Sequence, residues 1–196
     1  GLVGVGRIEV MPAASPVSAT ITLPGSKSVS NRALLLAALA DGQSRLGGVL
    51  KADDTYWMKT YLETLGVTLA EDGGTFVVTS PGWRGWRKEG RVFMGSAGTV
   101  GRFLLGALAC VPGSIEASAS DQLSRRPISP LIDALIALGA DIAYLGAKGC
   151  LPVHIGDAKD IGDRVAIAGD VSSQFISGLL MAAPLMPKGL SLDVTS

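Results

Sequence analysis

The sequence predicts an α/β fold built from a repeated unit, with two whole copies and a third cut short. Three observations predict it. Three small, hydroxyl-rich turns each lead into an apolar helix: Ser26-Lys27-Ser28-Val29-Ser30-Asn31-Arg32 before 33–39, Gly95-Ser96-Ala97-Gly98-Thr99-Val100-Gly101-Arg102 before 103–108, and Val171-Ser172-Ser173-Gln174-Phe175-Ile176 before 177–183. Their spacing is regular, since Ser26 lies 70 residues before Ser96 and Ser96 lies 76 before Ser172. After the first two turns come a second helix, over 55–66 and 129–139, and then a strand-like run, 67–69 and 140–144. Both second helices have helical apolar spacing and end at a glycine.

The elements follow in order. Residues 7–11 and 19–23 read as strands, split by the turn-forming Pro12-Ala13-Ala14-Ser15-Pro16. The units run over about 19–81, 91–155 and 160–196. The first closes on the alternating run Gly74-Thr75-Phe76-Val77-Val78-Thr79, and residues 82–90 read as a polar connection carrying two tryptophans. The third has its first helix but no second. A repeat cut mid-unit leaves apolar faces without partners, so the chain is expected to be part of a larger or split protein.

Composition narrows the function. Hydrophobic residues make up 47% and charged residues 17%, which suits a domain that shares its apolar surface with missing partner units. No apolar run reaches the roughly 18–20 residues of a membrane span. Seventeen basic and 17 acidic residues cancel, which argues against nucleic acid or an anionic membrane as partner. Two cysteines, Cys110 and Cys150, make no disulfide framework, and with the single His154 they make no metal-ligand pattern. Residues 1–7 have the character of neither a signal nor a transit peptide, so a cytoplasmic location is expected.

The turns carry the chemistry. A helix N-terminus presents free N–H groups and a partial positive charge, so three of them suit a multiply charged small molecule. Pro24-Gly25-Ser26-Lys27-Ser28 invites a phosphate-loop reading, but Ser26 separates Gly25 from Lys27, and position 20 is a threonine. Without that template, Ser28 and Arg32 are four apart on one helical face, with Lys27 at its mouth. Those groups suit phosphate or carboxylate; an N-cap serine with two solvated cations is the plainer alternative. Gly98 and Thr99 allow close backbone approach to a ligand or, alternatively, tight packing. Of Arg125 and Arg126, one would reach the site or both are solvated. Gln174 offers a donor and an acceptor, and Asp53-Asp54-Thr55 reads as a helix cap. No histidine or cysteine stands near these serines in sequence, so a Ser-His-Asp hydrolase is poorly supported.

The motifs at 23–33, 95–102, 125–128 (Arg-Arg-Pro-Ile) and 169–175 (Gly-Asp-Val-Ser-Ser-Gln-Phe) resemble the 5-enolpyruvylshikimate-3-phosphate synthase family, the 3-phosphoshikimate 1-carboxyvinyltransferases. The likeness runs from about Ala19 to the end. A sister family acts on UDP-N-acetylglucosamine and carries a reactive cysteine where this chain has Asp121-Gln122-Leu123-Ser124.

The resemblance implies two domains of three βαβαββ units each. Residues 19–196 would be the N-terminal, shikimate-3-phosphate-binding domain with two full units and an incomplete third, and 1–18 would reach toward the C-terminal domain. It implies that Ser28, Arg32, Ser172 and Ser173 bind shikimate 3-phosphate, with Gln174 against its ring. Lys27, Gly98 and Arg126 would bind phosphoenolpyruvate, Lys27 touching both substrates. Thr99 and Arg102 would support that loop, and Lys27 and Arg126 would be the catalytic cations. The 5-hydroxyl would attack C2 of phosphoenolpyruvate as a proton adds to C3; loss of a proton and phosphate would then give the enolpyruvyl ether. No metal or cofactor is implied, and the acid and base groups would lie in the C-terminal half, acting in cis or trans.

Two departures from the family pattern stand out. Ser96 replaces a common asparagine and Phe103 a common proline, and both are expected to alter affinity for phosphoenolpyruvate and its competitor glyphosate. Gly98 is retained. A non-enzymatic binding module or a purely structural repeat protein are the competing readings; turnover on adding a C-terminal half separates the first, and tolerance of changes at Lys27, Arg32 and Arg126 the second.

Overall fold

A computed structural model describes residues 8–195. Ser26 caps the first helix, α1 (Lys27–Leu39), accepting from the Val29 N–H. Next come β1 (Asp41–Gly47), α2 (Asp53–Thr64), β2 (Thr68–Asp72) and β3 (Thr75–Pro81). These strands form an antiparallel sheet in the order β1-β3-β2. Leu69 and Val78 are ladder partners, and both are buried. α1 lies on β1 and β3, α2 lies on β2, and the two helices pack together.

A second sheet has the order β4-β5-β7-β6, from β4 (Arg91–Phe93), β5 (Ile115–Ser118), β6 (Ile142–Tyr144) and β7 (Val153–Ile155). β4 and β5 are parallel, so a crossover must join them, and α3 (Gly98–Cys110) is that crossover. A short turn of helix, α4 (Asp121–Ser124), and α5 (Ser129–Ala137) follow β5. The pair β8 (Arg164–Ala168) and β9 (Ser191–Thr195) is also parallel and joined by a helix, α6 (Ser173–Ala182). The fold is thus α/β, with helices covering small sheets.

α3 is the centre of the molecule. Its residues from Phe103 to Ala109 are all buried, as expected of a helix apolar on every side. It touches α1, α2, α5 and α6. Its closest approach is to α6, where a methyl group on Gly106 would fall 2.5 Å from the Gly178 carbonyl oxygen and one on Gly178 would fall 2.6 Å from that of Arg102. Two glycines therefore let these helix backbones meet.

The structure corrects two expectations and adds a third point, a strand the sequence did not show. Residues 8–11 and 19–23 form no strand, and Arg7, with the rest of 1–7, lies outside the described residues. An alternating pattern makes a strand only where a ladder neighbour and a core await it, and Ile8, Val10, Ile21 and Leu23 are each at least 70% exposed. Second, residues 82–90 are not a merely polar connection. Trp86 is buried and donates its indole N–H to the Ala38 carbonyl at 2.9 Å, while the Lys88 ammonium is buried and donates to the Val111 and Gly156 carbonyls. Third, β1 has one large apolar residue, Leu46, and gave no periodic signal; its seven-residue ladder with β3 forms it.

Candidate functional site

The three hydroxyl-rich turns are helix N-termini in the structure. Ser172 caps α6 through the Gln174 N–H, as Ser26 caps α1. α3 differs: its N-cap is Ala97, with no side-chain cap, so its first N–H groups are not taken by a side chain.

α1 supplies Arg32, a half-buried guanidinium. Its Nη1 donates to the Ser28 hydroxyl and to the Ser28 carbonyl, the i, i+4 pairing legible in the sequence. Its Nη2 donates to the Ser177 hydroxyl on α6 at 2.8 Å, a contact 145 residues away in sequence. The fully buried Phe103 ring of α3 lies beneath it, 4.6 Å from ring centre to Cζ.

α3 and α6 are tied by polar contacts beside their glycine crossing. Arg102 Nη1 donates to Gln174 Oε1 at 2.6 Å, and Gln174 Nε2 donates to the Thr99 hydroxyl at 2.9 Å. Arg102 also stacks on Phe175, at 4.7 Å. Burial, and then the positive charge of Arg126, pull the Arg102 guanidinium below its usual pKa. Arg126 follows α4, where its N–H closes a turn on the Leu123 carbonyl. A methyl group placed on Gly98 would lie 3.3 Å from Cδ1 of Leu123 and 3.6 Å from Nη1 of Arg126, so this glycine serves both close packing and access to that cation.

Described contacts thus connect Ser28, Arg32, Gly98, Thr99, Arg102, Arg126 and Gln174 through α1, α3, α4 and α6. Ser172 and Ser173 sit at the α6 N-terminus, one as its cap and the other exposed in its first turn. Lys27 turns elsewhere: its exposed ammonium stands 3.5 Å from the Asp54 carboxylate. Asp54, expected to act only as part of a cap, has therefore an ion-pair role, and Thr55 does the capping, accepting from the Ala52 N–H. The sequence reading missed Ser177 and the placing of Phe103 under Arg32, because neither is near Arg32 in the chain. It also missed that Ser114, just before β5, and His154 of β7 meet, at 2.7 Å.

Among the described residues, Arg32, Arg102 and Arg126 are in no ion pair. Unneutralised guanidinium groups beside helix N-termini attract a multiply charged anion. The fold is an α/β domain whose helix N-termini stand beside arginines in no described ion pair. A family model described as EPSP synthase (3-phosphoshikimate 1-carboxyvinyltransferase) matches residues 11–196, and the chain belongs to that family.

The 3-phosphoshikimate 1-carboxyvinyltransferase 2 of Halalkalibacterium halodurans is 44% identical over 191 residues, 97% of this chain and 42% of that protein. The 3-phosphoshikimate 1-carboxyvinyltransferase of Cupriavidus taiwanensis is 47% identical over 167 residues, 85% of this chain and 38% of that protein. Among solved structures, an EPSP synthase from Acinetobacter baumannii superposes with a TM-score of 0.81 at 28% identity, covering 90% of this chain and 40% of that one. The chain spans about two fifths of the length of these relatives. No described helix is long and apolar enough to cross a membrane.

Proposed function

We propose that this chain supplies the shikimate-3-phosphate site and part of the phosphoenolpyruvate site of a 3-phosphoshikimate 1-carboxyvinyltransferase. One observation carries the proposal: in a member of this family, two arginines in no described ion pair, Arg32 and Arg102, are held by contacts among α1, α3 and α6, and the Arg126 guanidinium lies beside Gly98 at the start of α3. Arg32, Ser28, Ser172 and Ser173 bind shikimate 3-phosphate, with Gln174 against its ring. Gly98 and Arg126 bind phosphoenolpyruvate, Thr99 and Arg102 support them, and glyphosate competes there. Lys27 leaves Asp54 to reach both substrates.

The reaction joins two anions, so charge and positioning do much of the work. The arginines offset the phosphate and carboxylate charges and hold the 5-hydroxyl oxygen against C2 of phosphoenolpyruvate. A bond forms there as C3 gains a proton; then a proton and phosphate leave, giving 5-enolpyruvylshikimate 3-phosphate. The proton-transfer groups come from a C-terminal half, in cis or trans, on which turnover depends. The order β4-α3-β5-α5-β6-β7 supports a βαβαββ unit over 91–155, α1 to β3 supply all but the first strand of such a unit over 19–81, and a partial unit runs from 160. The stretch 1–18 then reaches toward the other half, and the reaction runs in the cytoplasm.

The test is a calorimetric titration with shikimate 3-phosphate and with unphosphorylated shikimate. Binding that needs the phosphate, and is lost in Arg32→Ala and Ser172→Ala, is the expected result. Equal affinity for the two ligands overturns the site. Adding a C-terminal half of a relative should bring phosphate release from phosphoenolpyruvate that neither part shows alone.

A further inference from the structure

We infer that Ser177 and Phe103 are positioning residues that hold Arg32 so that one edge of its guanidinium faces the anion. This rests on the reading of Arg32 as a ligand of shikimate 3-phosphate.

A free arginine loses much of its rotamer freedom on binding a ligand. Arg32 is fixed beforehand. The guanidinium lies over the Phe103 ring of α3, and it is tied to Ser28 on one side and to Ser177 on the other. Phe103 is fully buried in the central helix, so the platform itself does not move. Three helices thus hold one side chain.

The donors tell which edge is left. The guanidinium has five N–H groups. Nη1 is directed at the two Ser28 oxygens and Nη2 at the Ser177 oxygen, while the Nε–H has no acceptor among the described residues. The Nε–H and one Nη2 hydrogen are therefore left for a ligand, the donors from which a side-on fork to two oxygens of an anion is made. A receptor arranged before binding loses less entropy on binding. Neither Ser177 nor Phe103 needs to touch the ligand for this to act.

The test is a double-mutant cycle on this chain, read by titration with shikimate 3-phosphate. Ser177→Ala, which removes a hydrogen bond to the guanidinium, and Phe103→Leu, which removes a cation–π contact, should each weaken binding about tenfold. Ser177→Thr, which keeps the hydroxyl, should restore it. In an Arg32→Ala background neither change should weaken binding further. An Arg32→Ala chain that binds as the parent does overturns the reading of Arg32 as a ligand, and this inference with it. Loss in Arg32→Ala with no loss in the other two, or with losses that simply add, overturns the positioning role alone.

Nuclear magnetic resonance gives a ligand-free reading. The Arg32 side-chain protons should be shifted upfield by the Phe103 ring in the parent, and the shift should vanish in Phe103→Leu. Ser177→Ala should speed rotation about Nε–Cζ. Unshifted Arg32 signals in the parent, unchanged by either substitution, would overturn the inference even if the isolated chain bound no ligand.

Discussion

Arg102 on α3 and Gln174 on α6 meet at 2.6 Å, and this one hydrogen bond joins two of the three helix N-termini that build the site. Gln174 holds Thr99 with the other end of the same amide. The side chain expected to serve a ligand is therefore also a strut between helices.

Stability and binding should separate at this position. Gln174→Leu strands a half-buried guanidinium, and the expected cost is about 1–3 kcal/mol in urea unfolding. Gln174→Glu restores the acceptor to Arg102 and can take the Thr99 proton, so stability should stay within about 1 kcal/mol of the parent. Its negative charge nevertheless sits at the anion site, and titration should show weaker binding of shikimate 3-phosphate. Equal binding by Gln174→Glu and the parent would place the anion away from α6.

The glycine crossing of α3 and α6 gives a sharper stability prediction. Gly→Ala inside a helix ordinarily gains about 1 kcal/mol. At Gly178 the new methyl would press on the Arg102 carbonyl oxygen, which lies on a packed backbone that cannot swing aside. Gly178→Ala should therefore destabilise by about 1–3 kcal/mol, despite its better propensity. Thermal unfolding decides the sign.

What the sequence made legible was local. The three turns, their spacing and the Ser28–Arg32 pairing all depend on residues a few positions apart, where helix geometry fixes the outcome. The strands expected at 7–11 and 19–23 failed because alternation says nothing about whether a ladder partner exists. β1 went unseen for the opposite reason, since its partner β3 makes it a strand and its own residues do not. Residues 82–90 read as a polar connection, yet carbonyl groups at Ala38, Val111 and Gly156 draw Trp86 and Lys88 in. Ser177, the second anchor of Arg32, was legible only as one more polar residue in an apolar helix.

Gly98 should be tolerant in the fold and intolerant in the site. Its nearest neighbour is the end of the Leu123 side chain at 3.3 Å, which can yield by a few tenths of an ångström. Gly98→Ala should change stability by less than about 1 kcal/mol, because helix propensity offsets the tight contact. The same methyl stands beside Arg126, so it should weaken phosphoenolpyruvate binding when the chain is paired with a C-terminal half. A titration with phosphoenolpyruvate in the presence of shikimate 3-phosphate measures this, and unchanged affinity would remove Arg126 from that site.

Lys88 makes stability depend on pH in an unusual direction. Burial lowers its pKa from 10.5 to about 8, against the pull of Asp157, Cys110 and Asp141. Below pH 8 the ammonium is charged in the folded and unfolded chain alike, and folding bears the full cost of taking it out of water. Between pH 8 and 10.5 the folded protein releases this proton first, so the unfolded chain binds more protons and stability rises with pH. The gain is at most about 3 kcal/mol, at roughly 1.4 kcal/mol per pKa unit. Cys110 works against it, since burial pushes its thiol up to about 11 and the fold loses stability as pH passes from 9 to 11. The comparison is therefore made in a Cys110→Ala background, with and without Lys88→Met. Urea unfolding should show the chain that retains Lys88 gaining on Lys88→Met from pH 8 to 10.5. A flat difference would mean that the Val111 and Gly156 carbonyls hold the ammonium charged throughout.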